Sequence, residues 1–133
     1  MWRTFSISFT TAMLAGFAFL LFSLIGCPGG GAKLQRVDAD FNAIGSSLKT
    51  YRLSTGHYPS TEQGLGALVV KPVTDPPLQE WSKIADRVQR DPWDKEYRYQ
   101  RLPEDDNRGF ELLSAGKDGQ FGTEDDLSSL DPK

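Results

Sequence analysis

Leu34-Gln-Arg-Val-Asp-Ala-Asp-Phe-Asn-Ala-Ile-Gly-Ser-Ser-Leu-Lys-Thr-Tyr51 is the stretch that decides the fold. Leu34, Val37, Phe41, Ile44, Leu48 and Tyr51 recur at steps of three and four residues, which places them on one face of an α-helix. Lys33, Gln35, Arg36, Asp38, Asp40, Ser46, Ser47 and Lys49 make the opposite face polar. The pattern predicts a helix from about Ala32 to Leu53, about 30 Å long at the usual rise per residue, closed by Thr55-Gly56. A coiled-coil seam would need a second long helix, and none follows. The stripe is expected to carry a small sheet instead.

Downstream, Gly56-His-Tyr-Pro59 reads as a turn into Ser60-Thr-Glu-Gln63. That run is a capping box, in which the serine and glutamine side chains each take the other's backbone N–H. It predicts a second helix from Thr61 to about Val70, carrying Leu65, Leu68 and Val69 and stopped by Pro72. A proline-rich loop follows over 71–77, and Trp81 is expected to cover the core. Asp91-Pro-Trp93 opens a hairpin-like run with Asp94-Lys95 as its turn. Tyr97-Arg-Tyr-Gln-Arg101 alternates aromatic with polar residues, the mark of a half-buried strand. Leu102 to Gly109 is the acidic hairpin loop, and Phe110 to Leu113 the returning strand. The expected fold is α+β, a long N-terminal amphipathic helix packed on a small antiparallel sheet.

After the last strand comes Ser114-Ala-Gly-Lys-Asp-Gly-Gln-Phe-Gly-Thr-Glu-Asp-Asp126. Asp118, Glu124, Asp125 and Asp126 repel one another unless water or a cation screens them. Gly119 and Gly122 permit positive φ, so the backbone can fold Asp118 back towards Asp125 and Asp126. Hard oxygens on a turning backbone suit Ca²⁺, which takes about six to eight of them. Three carboxylates do not fill that shell, so backbone carbonyls from the 113–116 and 121–124 turns would have to contribute. The loop is not an EF-hand, since Gln120 and Gly122 stand where oxygen-bearing side chains are needed. On spacing alone, a solvated acidic tail is the favoured reading over an ion site, since charge runs are usually soluble surface.

At the other end, Arg3 is the only charge before Lys33, and Phe5 to Ile25 is apolar or small. Residues 1–27 have the form of an export signal, ending in Leu24-Ile-Gly-Cys27. That tetrad resembles the lipobox of bacterial lipoproteins, which implies lipidation at Cys27 and loss of residues 1–26. An uncleaved membrane-spanning helix is the alternative, since about 20 apolar residues cross a bilayer. Either way the protein is anchored in the bacterial cell envelope, with its globular part on the periplasmic or outer side. Pro28 to Ala32 reads as a glycine-rich tether, 33–127 as the globular domain and 128–133 as a polar tail.

Composition narrows the function. Charged residues at 25% and hydrophobic ones at 38% of 133 residues are ordinary for a soluble domain. A net charge of −3 without a basic cluster argues against a nucleic-acid partner. One cysteine and one histidine leave no internal disulfide and no histidine-rich metal site. His57 has no partner at a spacing useful for catalysis, and Asp105-Asp106 lies in a loop without an apolar pocket to shift its pKa. No enzyme and no small-molecule substrate are expected.

Three blocks resemble one family, the major (G-type) pseudopilins of type II secretion systems. They are Tyr51 to Leu68, with its Tyr-Pro turn and Thr-Glu-Gln-Gly-Leu run; Asp91-Pro-Trp93 followed by Tyr97-Arg-Tyr99; and the loop Ser114 to Asp126. The resemblance implies a Ca²⁺ held by the side chains of Asp118, Asp125 and Asp126, with carbonyls near Ser114 and Ala115 completing the shell. It covers roughly residues 33–126. In the second block Asp94 and Glu96 stand where the family usually has glycine and proline. The start of the chain departs further. Gly16-Phe17 imitates the family's processing site, but Leu21 stands where its register-setting glutamate belongs. Two readings follow: a non-enzymatic structural or accessory subunit working with other pseudopilins or secretion components, or a membrane-tethered lipoprotein that reuses the domain without forming a filament.

Overall fold

The computed structural model describes residues 29–74, 78 and 80–132. The chain divides into a short first unit, Met1–Ala32, and a second, Lys33–Lys133, which carries the features below. The signal segment and Cys27 lie outside the described residues.

Helix α1 runs Gly29–Thr55, 27 residues. It therefore takes in Gly29 to Ala32, which the sequence reads as a tether. Glycine costs a helix only about 1 kcal/mol relative to alanine, and extending an existing helix adds a hydrogen bond for each residue fixed. Val37, Phe41, Ile44, Leu48 and Tyr51 are buried in the core as the periodicity predicts, whereas Leu34 stays 48% exposed. The helix ends as expected: Gly56 N–H returns to Arg52 O at 2.8 Å, and the Thr55 hydroxyl donates to Tyr51 O at 2.8 Å.

The capping box forms. Ser60 N–H donates to Gln63 Oε1 at 2.9 Å, and Gln63 N–H to Ser60 Oγ at 3.2 Å. What it closes is a turn, not the ten-residue α-helix expected. Gly64 takes φ +56°, a left-handed conformation that a right-handed helix does not pass through. Beyond it only a 3-10 helix, Gly64–Leu68, forms, burying Leu65, Ala67 and Leu68. Trp81 packs on the core and donates its indole N–H to Ala67 O at 2.9 Å.

Three antiparallel strands make the sheet: β1 Arg98–Arg101, β2 Phe110–Ser114 and β3 Leu127–Ser128, in the order β1-β2-β3. Tyr99 faces Leu112, and Ser114 faces Leu127. Tyr97, Tyr99 and Leu112 complete the core against α1. Phe41 and Tyr97 meet at 5.5 Å between ring centroids, Tyr58 and Phe110 at 5.2 Å edge to face. The sheet and helix agree with the expected fold class. β3 lies where the sequence reading begins a polar tail: Ser128 pairs in the sheet, and Ser129 is bonded to β2. Ser129 N–H donates to Leu112 O, and Leu112 N–H donates to Ser129 Oγ, each at 2.9 Å. Ser128 Oγ donates to Glu111 Oε1 at 2.7 Å.

Candidate functional site

The acidic loop joins β2 to β3, so both its ends are fixed in neighbouring strands. Gly116, Gly119 and Gly122 have φ of +60°, +68° and +92°, the positive values the turning backbone requires. Gly116 is further constrained, because a Cβ there would collide with the Asp125 carbonyl oxygen.

The fold-back expected from the glycine spacing occurs. Asp118 N–H donates to Asp125 Oδ2 at 2.9 Å, and the Thr123 hydroxyl donates to Asp125 Oδ1 at 2.7 Å. The N–H of Asp118 and then the Thr123 hydroxyl hold the Asp125 carboxyl below the usual carboxylate range. Gly122 N–H donates to Asp126 Oδ2 at 2.7 Å. Asp118 turns its own carboxylate onto Gln120 N–H at 2.8 Å and is exposed. Glu124 is exposed.

Whether these residues suit a cation is decided by their oxygens. Among the described residues no three carboxylate, imidazole or thiol groups converge as a ready metal cage. Within the loop, Asp126 Oδ1 is buried and accepts no hydrogen bond. A buried carboxylate oxygen left unpaired is costly, and a hard cation would satisfy it. Ser114 and Ala115 are both buried at the loop's first hinge.

Ser114 leads to a residue the sequence did not single out. Asp91 is only 2% exposed. Its Oδ1 accepts Trp93 N–H at 3.0 Å and Lys95 N–H at 2.8 Å, and its Oδ2 accepts the Ser114 hydroxyl at 2.7 Å. Ser114 Oγ in turn accepts Gly116 N–H at 3.3 Å. Two flanking cations complete the surroundings. The Arg98 guanidinium lies 3.7 Å over the Phe121 ring, and the Lys95 stem lies so close to Gly119 that a Cβ there would meet Lys95 Cε at 2.7 Å. Asp94 sustains the turn with φ +64°, a conformation aspartate tolerates better than most residues.

A cleft of about 460 Å³ elsewhere is lined by Arg52, His57, Tyr58, Arg101, Glu104 and Asp106 among others. Arg101 pairs with Glu104 at 3.3 Å and Arg108 with Asp106 at 2.6 Å. The Arg108 side chain holds the Asp106 carboxyl down to about 2, the opposite of what a general acid at neutral pH needs. His57 Nδ1 donates to Tyr58 O at 3.0 Å. Among the described residues, no serine, threonine, cysteine or lysine lines the cleft.

Comparison with known proteins completes the picture. A family model described as Type II secretion system (T2SS), protein G, matches residues 27–131. Type II secretion system core protein G of Escherichia coli (strain K12) is 37% identical over 100 residues, which is 74% of this chain and 68% of that protein. Its counterpart in Pectobacterium carotovorum subsp. carotovorum is 39% identical over 106 residues, 77% of this chain and 67% of that protein. The crystal structure of the major pseudopilin from the type 2 secretion system of enterohaemorrhagic Escherichia coli aligns with a TM-score of 0.62 at 31% identity. The alignment covers 79% of this chain and 96% of that one.

Proposed function

The chain belongs to the type II secretion system protein G family, and we propose that its globular domain is a structural subunit whose C-terminal loop is fastened by a calcium ion. A pseudopilin subunit of that apparatus is not an enzyme, and it works in the cell envelope by packing against other pseudopilins and secretion components.

The observation that carries the calcium reading is the buried, unpartnered Asp126 Oδ1. Asp118, Asp125 and Asp126 supply the carboxylates, and carbonyls near Ser114 and Ala115 supply main-chain oxygens. The ion contributes positive charge among four acids and so pins the β2–β3 connection. At ten times its dissociation constant it stabilises the fold by about 1.4 kcal/mol, which moves the melting temperature of a domain this size by about 5–10 °C. Extracellular calcium modules bind at about 10⁻⁴ to 10⁻³ M, while Mg²⁺ demands a tighter octahedral shell. The test is thermal unfolding of the full chain in detergent with calcium, magnesium or chelator. Calcium alone should raise the melting temperature, and Asp125→Ala should abolish the rise. Identical curves in all three conditions leave a solvated acidic loop.

For the anchor, we propose lipidation at Cys27 on the strength of Leu24-Ile-Gly-Cys27. Among the described residues no helix is long and apolar enough to cross a membrane. Leu21 in the place of the register-setting glutamate favours an accessory subunit, or a tethered lipoprotein module, over one that polymerises by itself. Cys27→Ser should leave an unprocessed precursor without acyl label. Unchanged mass and labelling would replace the lipid with a transmembrane anchor.

A further inference from the structure

We infer that Asp91, acting through Ser114, is the positioning residue that sets the ion-binding shape of the acidic loop; the inference rests on the calcium reading above. Asp91 and Ser114 are 23 residues apart, both buried, and joined side chain to side chain at 2.7 Å. A carboxylate acceptor makes this bond stronger than one between neutral groups. Asp91 also gathers the N–H groups of Trp93 and Lys95, so one carboxylate holds the 91–95 turn and the end of β2 together. Through Ser114 Oγ it reaches Gly116 N–H, the first residue of the loop at positive φ.

The same segment grips the loop at two further points. The Lys95 stem lies against Gly119, and the Arg98 guanidinium covers Phe121. Positions 116, 119 and 121 are thus fixed from outside the loop. Asp118 N–H and Gly122 N–H, which hold the Asp125 and Asp126 carboxylates, lie between or next to those points. The loop is shaped by residues 91–98 before any ion arrives, and a pre-shaped site binds more tightly because less ordering remains to be done. Residues that orient metal ligands without touching the metal typically change its affinity about 10–100-fold when removed.

Ser114→Ala removes the linking hydroxyl and keeps the backbone carbonyl. Calcium titration calorimetry on the full chain in detergent, at a temperature where every variant is folded, should show Ser114→Ala binding about ten times more weakly than the unmodified chain. Ile44→Val perturbs the core beside Leu65 and Leu68 and serves as the control for a merely structural effect; its affinity should be unchanged. Equal affinities for Ser114→Ala and the unmodified chain would overturn the inference and leave the calcium site standing. Equal weakening in Ile44→Val would overturn it too, by showing that general destabilisation suffices. No binding by the unmodified chain would remove the calcium reading itself, and the inference with it. If Ser114→Ala does not fold, Asp91→Asn, which keeps an acceptor for the two turn N–H groups but turns an amide towards Ser114, takes its place.

Discussion

The Tyr97 hydroxyl donates to Asp40 Oδ2 at 2.7 Å, joining the approach to β1 to the middle of α1 across 57 residues. The Tyr97 ring is buried against Phe41, so the phenol is held at both ends. Tyr97→Phe keeps the ring and loses the bond. A hydrogen bond to a charged group contributes about 1.5–3 kcal/mol, and Asp40 retains Arg36 at 3.7 Å. The lower end, about 1.5 kcal/mol, is expected from urea unfolding.

Alkali should unfold the domain through its tyrosines. Burial, aided by Asp40, pushes the Tyr97 phenol far above its ordinary range, and burial raises Tyr99 and Tyr51 as well. A phenol whose folded pKa exceeds its unfolded one adds stability that is complete below the unfolded value, about 10, and is lost as pH rises above it. Unfolding midpoints should therefore hold level up to about pH 10 and fall beyond it, with tyrosinate absorbance rising together with loss of structure. A midpoint that stays flat well above that pH would contradict the burial argument.

The glycines of the acidic loop should not be equivalent. At Gly116 an alanine meets both a left-handed φ and the Asp125 carbonyl. At Gly122 it meets the φ alone, since nothing lies within 4 Å of a Cβ there. The left-handed conformation costs a non-glycine residue about 1–2 kcal/mol. Gly122→Ala should lose about that much by thermal unfolding, and Gly116→Ala clearly more.

Deleting residues 127–133 should destabilise the sheet. It removes the Ser129–Leu112 pair of bonds and the Ser128–Glu111 bond, at about 1 kcal/mol each. With the Leu127 and Ser128 strand pairing and the packing of Leu127 on the core also lost, a loss of more than about 3 kcal/mol is expected in chemical denaturation. Ser129→Ala alone should cost about 1 kcal/mol by leaving the buried Leu112 N–H unpaired.

What the sequence revealed and what it hid follow one division. The α1 stripe and the alternation over 97–101 were legible because they are local, set by residues three, four or two apart. The fold-back of Asp118 onto Asp125 was legible too, because glycine spacing fixes it. β3 was not: two residues, Leu127 and Ser128, carry no periodicity, and their pairing comes from Leu113 and Ser114. The second helix failed at a single torsion, that of Gly64. Asp91 read only as the opening of a hairpin-like run. A carboxylate's burial depends on which donors converge on it, and the Ser114 hydroxyl comes from 23 positions away.

The order of elements along the chain also bears on biosynthesis. α1 leaves the ribosome first, yet the side chains that cover Val37, Phe41, Ile44, Leu48 and Tyr51 include Tyr97, Tyr99 and Leu112. At about 5–20 residues per second, roughly sixty residues must be added between Tyr51 and Leu112. The apolar stripe is left without its sheet for about 3–12 s. A chain bound for export has reason to delay folding over that interval, and this one cannot close its core early, because the strands that close it are made last.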